Sequence, residues 1–133
     1  MKNTKHHSLP VYQNSLILQD LGDALSHYFR LETRTRSYKT LSLKAIIAES
    51  LLTDVALLPL TIEEACQSNS LHNKQKNISF INIITRNIIS YCNGLEKDGV
   101  KEREYIELIR NELQTFRKSF KQWRRSLLND SAL

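Results

Sequence analysis

The sequence predicts an all-α protein folded as an antiparallel up-down-up-down four-helix bundle, and three observations carry that prediction. Only three glycines and two prolines occur in 133 residues, too few for the turns of a β-sandwich or barrel. Leu, Ile, Lys, Glu, Arg and Asn dominate, a balance that favours long helices. Apolar residues then recur at steps of three and four in four stretches separated by polar breaks, which places each set on one side of an α-helix. Four such helices joined by fairly short connections pack most simply with their neighbours antiparallel. A chain of 133 residues suits one domain and buries about two thirds of its unfolded surface.

The first helix is expected over about residues 10–32, after a tail over residues 1–8 that is expected to be disordered. Ser8-Leu9-Pro10 supplies a cap residue and a proline for the first turn, and Leu18, Leu21, Leu25, Tyr28 and Phe29 share the inward side. A polar, basic break at Thr33 to Ser37 leads to a second helix over about 38–66. Leu41, Ala45, Ala48, Leu52, Val55 and Leu58 form its stripe, and Ile47, Leu51 and Leu57 widen it enough to suggest burial on two sides. Pro59 removes one backbone hydrogen bond and is expected to kink or divide this helix.

The Ser, Asn, His, Lys and Gln content of Gln67 to Asn77 predicts a loop. The third helix is expected over 78–93: Ile78, Ile81, Ile84 and Ile88 step by three and four, which outweighs the strand propensity of β-branched residues. Asn93-Gly94 reads as its stop. The fourth helix, over about 100–128, carries two registers. Ile106, Ile109, Leu113, Phe116, Phe120, Trp123 and Leu127 make an apolar seam, while Arg103, Arg110, Arg117 and Arg124 recur every seventh residue beside it.

Charge narrows the function classes. The formal net charge is +5 and the isoelectric point near 9.3, which points to an anionic partner. Glu104, Glu107 and Glu112 lie in the first half of the fourth helix and no acid follows until Asp130, so Arg117, Lys118, Lys121, Arg124 and Arg125 are uncompensated. Arg103 and Arg110 are expected to be offset by intrahelical pairing with Glu107. A second basic cluster, Arg30, Arg34, Arg36, Lys39 and Lys44 with Glu32 as its single acid, surrounds the first break, and Arg34, Arg36 and Lys39 are its candidate contacts. Phe116, Phe120 and Trp123 sit beside the cations, as base-stacking platforms do, but their seam spacing favours packing.

Catalytic signals do not converge, and the chain is expected not to be an enzyme. There is no Gly-rich phosphate loop, no G-x-S-x-G elbow and no H-E-x-x-H pair. Helical ribonucleases of the HEPN class place a His shortly after an Arg, but Arg86-Asn87 has no histidine after it before that helix ends, leaving no general acid or base. No metal or other cofactor is expected: Cys66 and His72 are a weak ligand pair, and Cys66 and Cys92 read as small core residues. Met1 to Ser8 lacks the apolar run of a signal peptide, and Lys44, Glu49, Asp54 and Pro59 interrupt the apolar second helix, so a cytoplasmic location without membrane insertion is expected.

With the helices placed, the chain resembles the accessory variability determinants of diversity-generating retroelements, four-helix-bundle proteins related in fold to proteins encoded in ribosomal RNA intervening sequences. The resemblance spans nearly the whole chain. It rests on Leu9-Pro10-Val11-Tyr12-Gln13, Arg36-Ser37-Tyr38-Lys39-Thr40-Leu41, Leu51-Leu52, Glu63-Glu64-Ala65, Leu113 and the Phe116, Phe120, Trp123 spacing. It implies a noncatalytic, basic homo-oligomer, a pentamer in the family, that binds the element's reverse transcriptase and its template RNA or cDNA and supports mutagenic reverse transcription. Carried over to this chain, the nucleic-acid contacts fall on Arg117, Lys118, Lys121, Arg124 and Arg125, then on Arg34, Arg36 and Lys39. The competing expectation is a bundle that mediates protein contacts only, its positive charge serving solubility.

Overall fold

A 3-10 turn, Lys5–Ser8, precedes four α-helices: α1 (Pro10–Thr33), α2 (Tyr38–Gln67), α3 (Leu71–Lys97) and α4 (Arg103–Ala132). The computed structural model describes residues 5–33, 38–97 and 103–132, and their side chains over 5–29, 43–96 and 103–129. Each helix packs on its neighbours in chain order and α4 returns to α1, closing a four-helix bundle. The pairings run antiparallel. Ser26 donates a hydrogen bond to Glu49 Oε1 while Gly22 lies against Val55, and Asp54 Oδ2 accepts from Asn87 Nδ2 and Tyr91 Oη on α3.

The core takes one stripe from each helix. Val11, Leu18, Leu25 and Phe29 come from α1, and Ile78, Ile81, Ile84 and Ile88 from α3. All seven residues of the α4 seam are buried. On α2 the buried stripe is Ala48, Leu51, Val55, Leu58 and Ile62, which leaves Ala45 and Leu52 half-buried, so the stripe is rotated slightly from its predicted centre. The helix is undivided at Pro59, where buried Leu58 and Ile62 hold it against its neighbours on either side of the missing hydrogen bond.

Three expected boundaries are corrected. Residues 71–77 are helical, because Ser70 Oγ accepts a hydrogen bond from the Asn73 amide and caps α3 seven residues earlier than its isoleucine pattern begins. At the other end α3 runs through Asn93-Gly94 to Lys97, since Leu95 is fully buried and continues the core stripe. Gly94 serves the approach of α2: a Cβ there would sit 3.4 Å from Ile47 Cδ1. Residues 5–8 form a turn anchored by His6, which is buried and packs edge-on against Tyr12 with ring centroids 4.9 Å apart.

Gly22 lets α1 and α2 approach closely: a Cβ there would come within 2.7 Å of Val55 Cγ2. Valine is stiff at χ1, so the clash must be relieved by backbone movement. Gly22→Ala is therefore expected to destabilise the fold, the overpacking cost of about 1–3 kcal/mol exceeding the roughly 1 kcal/mol gained in helix propensity. A thermal melt should show a Tm lower by several degrees; an unchanged or raised Tm would mean that the two helices are not held this close.

By length and composition Leu43–Gln67 would pass for a membrane span, which corrects the reading that its charges and proline rule one out. In the bundle this helix is buried on one side, and Leu43, Ile46 and Leu60 face outward.

Candidate nucleic-acid interface

The cationic half of α4 is built by the geometry of its seam. With Phe116, Phe120, Trp123 and Leu127 pulled inward, the 3.6-residue period turns Arg117, Lys118, Lys121 and Arg125 out, and all four are exposed. Arg124 is half-buried, with its guanidinium carbon 5.8 Å from the Phe120 ring centroid, a cation–π contact that fixes its stem. The aromatics themselves are at most 7% exposed, and Phe116 and Phe120 stack with centroids 6.0 Å apart. They pack the core and offer no open ring face to a base.

Arg110 shows which neighbour the arginine line meets. Its guanidinium donates to Asn93 Oδ1 at 2.9 Å and bonds Glu96, both on α3, as well as Glu107 on its own helix at 3.2 Å. The hydrogen bond and charge of Arg110 hold the Glu96 carboxyl below the usual carboxylate range. Arg110 is thus the compensated member of the line. Glu107 pairs with it, whereas Arg103 is exposed and adds only a longer-range attraction to Glu96.

From that anchor the antiparallel register extends toward the far end of the bundle. Seven residues on, Arg117 keeps the α3-facing side of α4, and seven residues back from Asn93 lies Arg86, on the α4-facing side of α3. Both are exposed, so α3 contributes a cation to the same groove. Near the end of α2, burial pushes the Cys66 thiol up, against the opposing pull of Trp123 on α4 and of the Lys74 charge on α3. The sequence-predicted site includes neither Arg86 nor Lys74. The signal for them is that α3 has no acid from Leu71 to Leu95 and α4 has none from Leu113 to Asn129. At a rise of 1.5 Å per residue those acid-free runs are about 36 and 24 Å long.

The nearest acid points elsewhere. Glu112 lies seven residues before Ser119, whose Oγ accepts a hydrogen bond from Asn14 on α1, so Glu112 belongs to the α1-facing side of α4. Its Oε1 is buried without a hydrogen-bond partner, and burial raises the carboxyl above its ordinary value. Acids as a group are segregated: α1 and α2 carry seven against three bases, while α3 and α4 carry eleven bases against five acids. The bundle therefore has a basic side and an acidic side.

Of the second predicted cluster, Arg34 and Arg36 lie outside the described residues, and Lys39 lies in the first turn of α2 with its side chain outside them. Cys92 is buried, which pushes its thiol up to about 11. Among the described residues no three His, Cys, Asp or Glu side chains gather as a metal site. No protein-family model matches the chain, and neither a curated protein nor a solved structure matches it significantly.

Proposed function

We propose that the protein is a noncatalytic, homo-oligomeric accessory factor of a diversity-generating retroelement, acting in the cytoplasm, that binds template RNA or cDNA through its basic side and docks on the reverse transcriptase. The resemblance supports the setting. What carries nucleic-acid binding is the pair of acid-free runs on α3 and α4, helices that the Arg110 to Asn93 contact sets side by side, with Arg86 on one and exposed Arg117 and Lys121 and half-buried Arg124 on the other. Like charges held along one groove repel one another and are relieved by a polyanion, whose phosphates release condensed counterions on binding. Titrating a fluorescent single-stranded RNA and a DNA duplex at low and at physiological salt tests the reading. Binding at low salt that weakens as salt rises is expected.

A second reading, a module that mediates protein contacts alone, is favoured by one observation: Leu60, Phe80 and Ile83 are 61%, 41% and 47% exposed on the side away from the cationic groove.

A further inference from the structure

The basic side of the bundle is two helices wide, and among the described residues it carries no open Phe, Tyr or Trp ring. Lys118, Lys121 and Arg125 step by three and four along the outward ridge of α4. Arg86, across the groove on α3, lies level with Arg117, and packed helix axes stand about 8–10 Å apart. The exposed cations therefore cover a patch about 10 Å across and, from Arg117 to Arg125, about 12 Å long. Phe80 is the one exposed Phe, Tyr or Trp among the described residues, and it lines the cleft with Glu64 on the α2 side of α3. Tyr12 and Tyr28 belong to α1, and Tyr91 bonds Asp54 on α2. Tyr105, seven residues before Glu112, keeps the α1-facing side of α4.

We propose that the nucleic acid this side takes is a double helix, held by the phosphates of both strands, an assignment that rests on the nucleic-acid reading of the same cations. Proteins that hold single strands supply aromatic rings on which successive bases stack, and the described residues of this side offer none. A duplex has its bases already stacked on one another and presents a charged exterior, which a patch of cations without rings can grip. It carries one phosphate charge per about 1.7 Å of axis, twice the density of either strand alone, and offers two lines of phosphate to a patch two helices wide. The cations stand on a rigid pair of helices, fixed side by side by Arg110 with Asn93 and Glu96, so they suit a stiff rod better than a flexible strand. A single strand still binds the same cations through its phosphates, at a lower charge density. In a retroelement the matching duplex is template RNA paired with the cDNA copied from it.

Fluorescence anisotropy over a salt series, with a short RNA strand alone and the same strand paired with its complementary DNA, tests the assignment. With contacts from Arg86, Arg117, Lys118, Lys121 and Arg125, log affinity should fall against log salt with a slope of about 4.5 for the hybrid and about 3.5 for the strand. That difference makes the hybrid the tighter ligand by about tenfold near 0.1 M salt. Arg86→Gln, at an exposed position and with a thermal melt to verify folding, should weaken the hybrid about eightfold at that salt and lower its slope by about 0.9. A strand bound as tightly as the hybrid, or a hybrid indifferent to Arg86→Gln, would overturn the duplex assignment and leave nucleic-acid binding in place. Binding of neither probe at low salt would overturn both.

Discussion

Replacing Lys118, Lys121, Arg124 and Arg125 with glutamine is expected to weaken binding to single-stranded RNA on the order of a hundredfold near 0.1 M salt and to flatten its salt dependence. Each phosphate contact to a single strand contributes about 0.7 to the slope of log affinity against log salt, so losing four should reduce the slope by roughly three. The fold should tolerate the change. Lys118, Lys121 and Arg125 are exposed, and Arg124→Gln loses a contact to Phe120 worth about 0.5–1 kcal/mol. Fluorescence anisotropy over a series of salt concentrations, beside a thermal melt, separates the two effects. An affinity and a slope both equal to those of the parent protein would remove this segment from the site.

Phe116→Ala is expected to destabilise the protein by about 3–5 kcal/mol, the range for deleting a buried aromatic ring. Phe116 is fully buried, and its ring stacks on Phe120, which itself packs near Trp123 with centroids 6.0 Å apart, so the cavity would open in the middle of the α4 seam. A loss of that size should lower Tm by more than about ten degrees and shift the urea midpoint to match. The comparison bears on function as well as stability. A ring used as a base-stacking platform would be open to solvent, and its removal would weaken RNA binding while leaving the melt nearly unchanged. A small stability change with a large binding loss would reverse the assignment of these aromatics to the core.

Periodicity made most of the fold legible. The α4 seam and the four isoleucines of α3 repeat at helical steps long enough to define both the elements and their buried sides, and every one of those residues is buried. Boundaries were harder, because polar composition at Gln67 to Asn77 concealed a single cap residue, Ser70, that lets α3 begin early. Gly94 carried an ambiguous signal: glycine marks helix ends and close helix approaches alike, and only the burial of Leu95 distinguishes them. The α4 cations could be found from one helix. Arg86 could not, since its membership depends on the Arg110 to Asn93 contact that sets how α3 and α4 lie side by side. Nor does a linear reading reveal that Glu112 turns toward α1, away from the cations it follows in sequence.

Backbone amide NMR of the labelled protein, titrated with a short single-stranded RNA, tests most directly that one side of the bundle is the nucleic-acid surface. The expected shift changes cluster at Arg86, Arg117, Lys118, Lys121 and Arg125, with Asp20 and Asp23 on the acidic side unmoved. Perturbations centred on α1 and the outer side of α2, or none at low salt, would contradict the assignment.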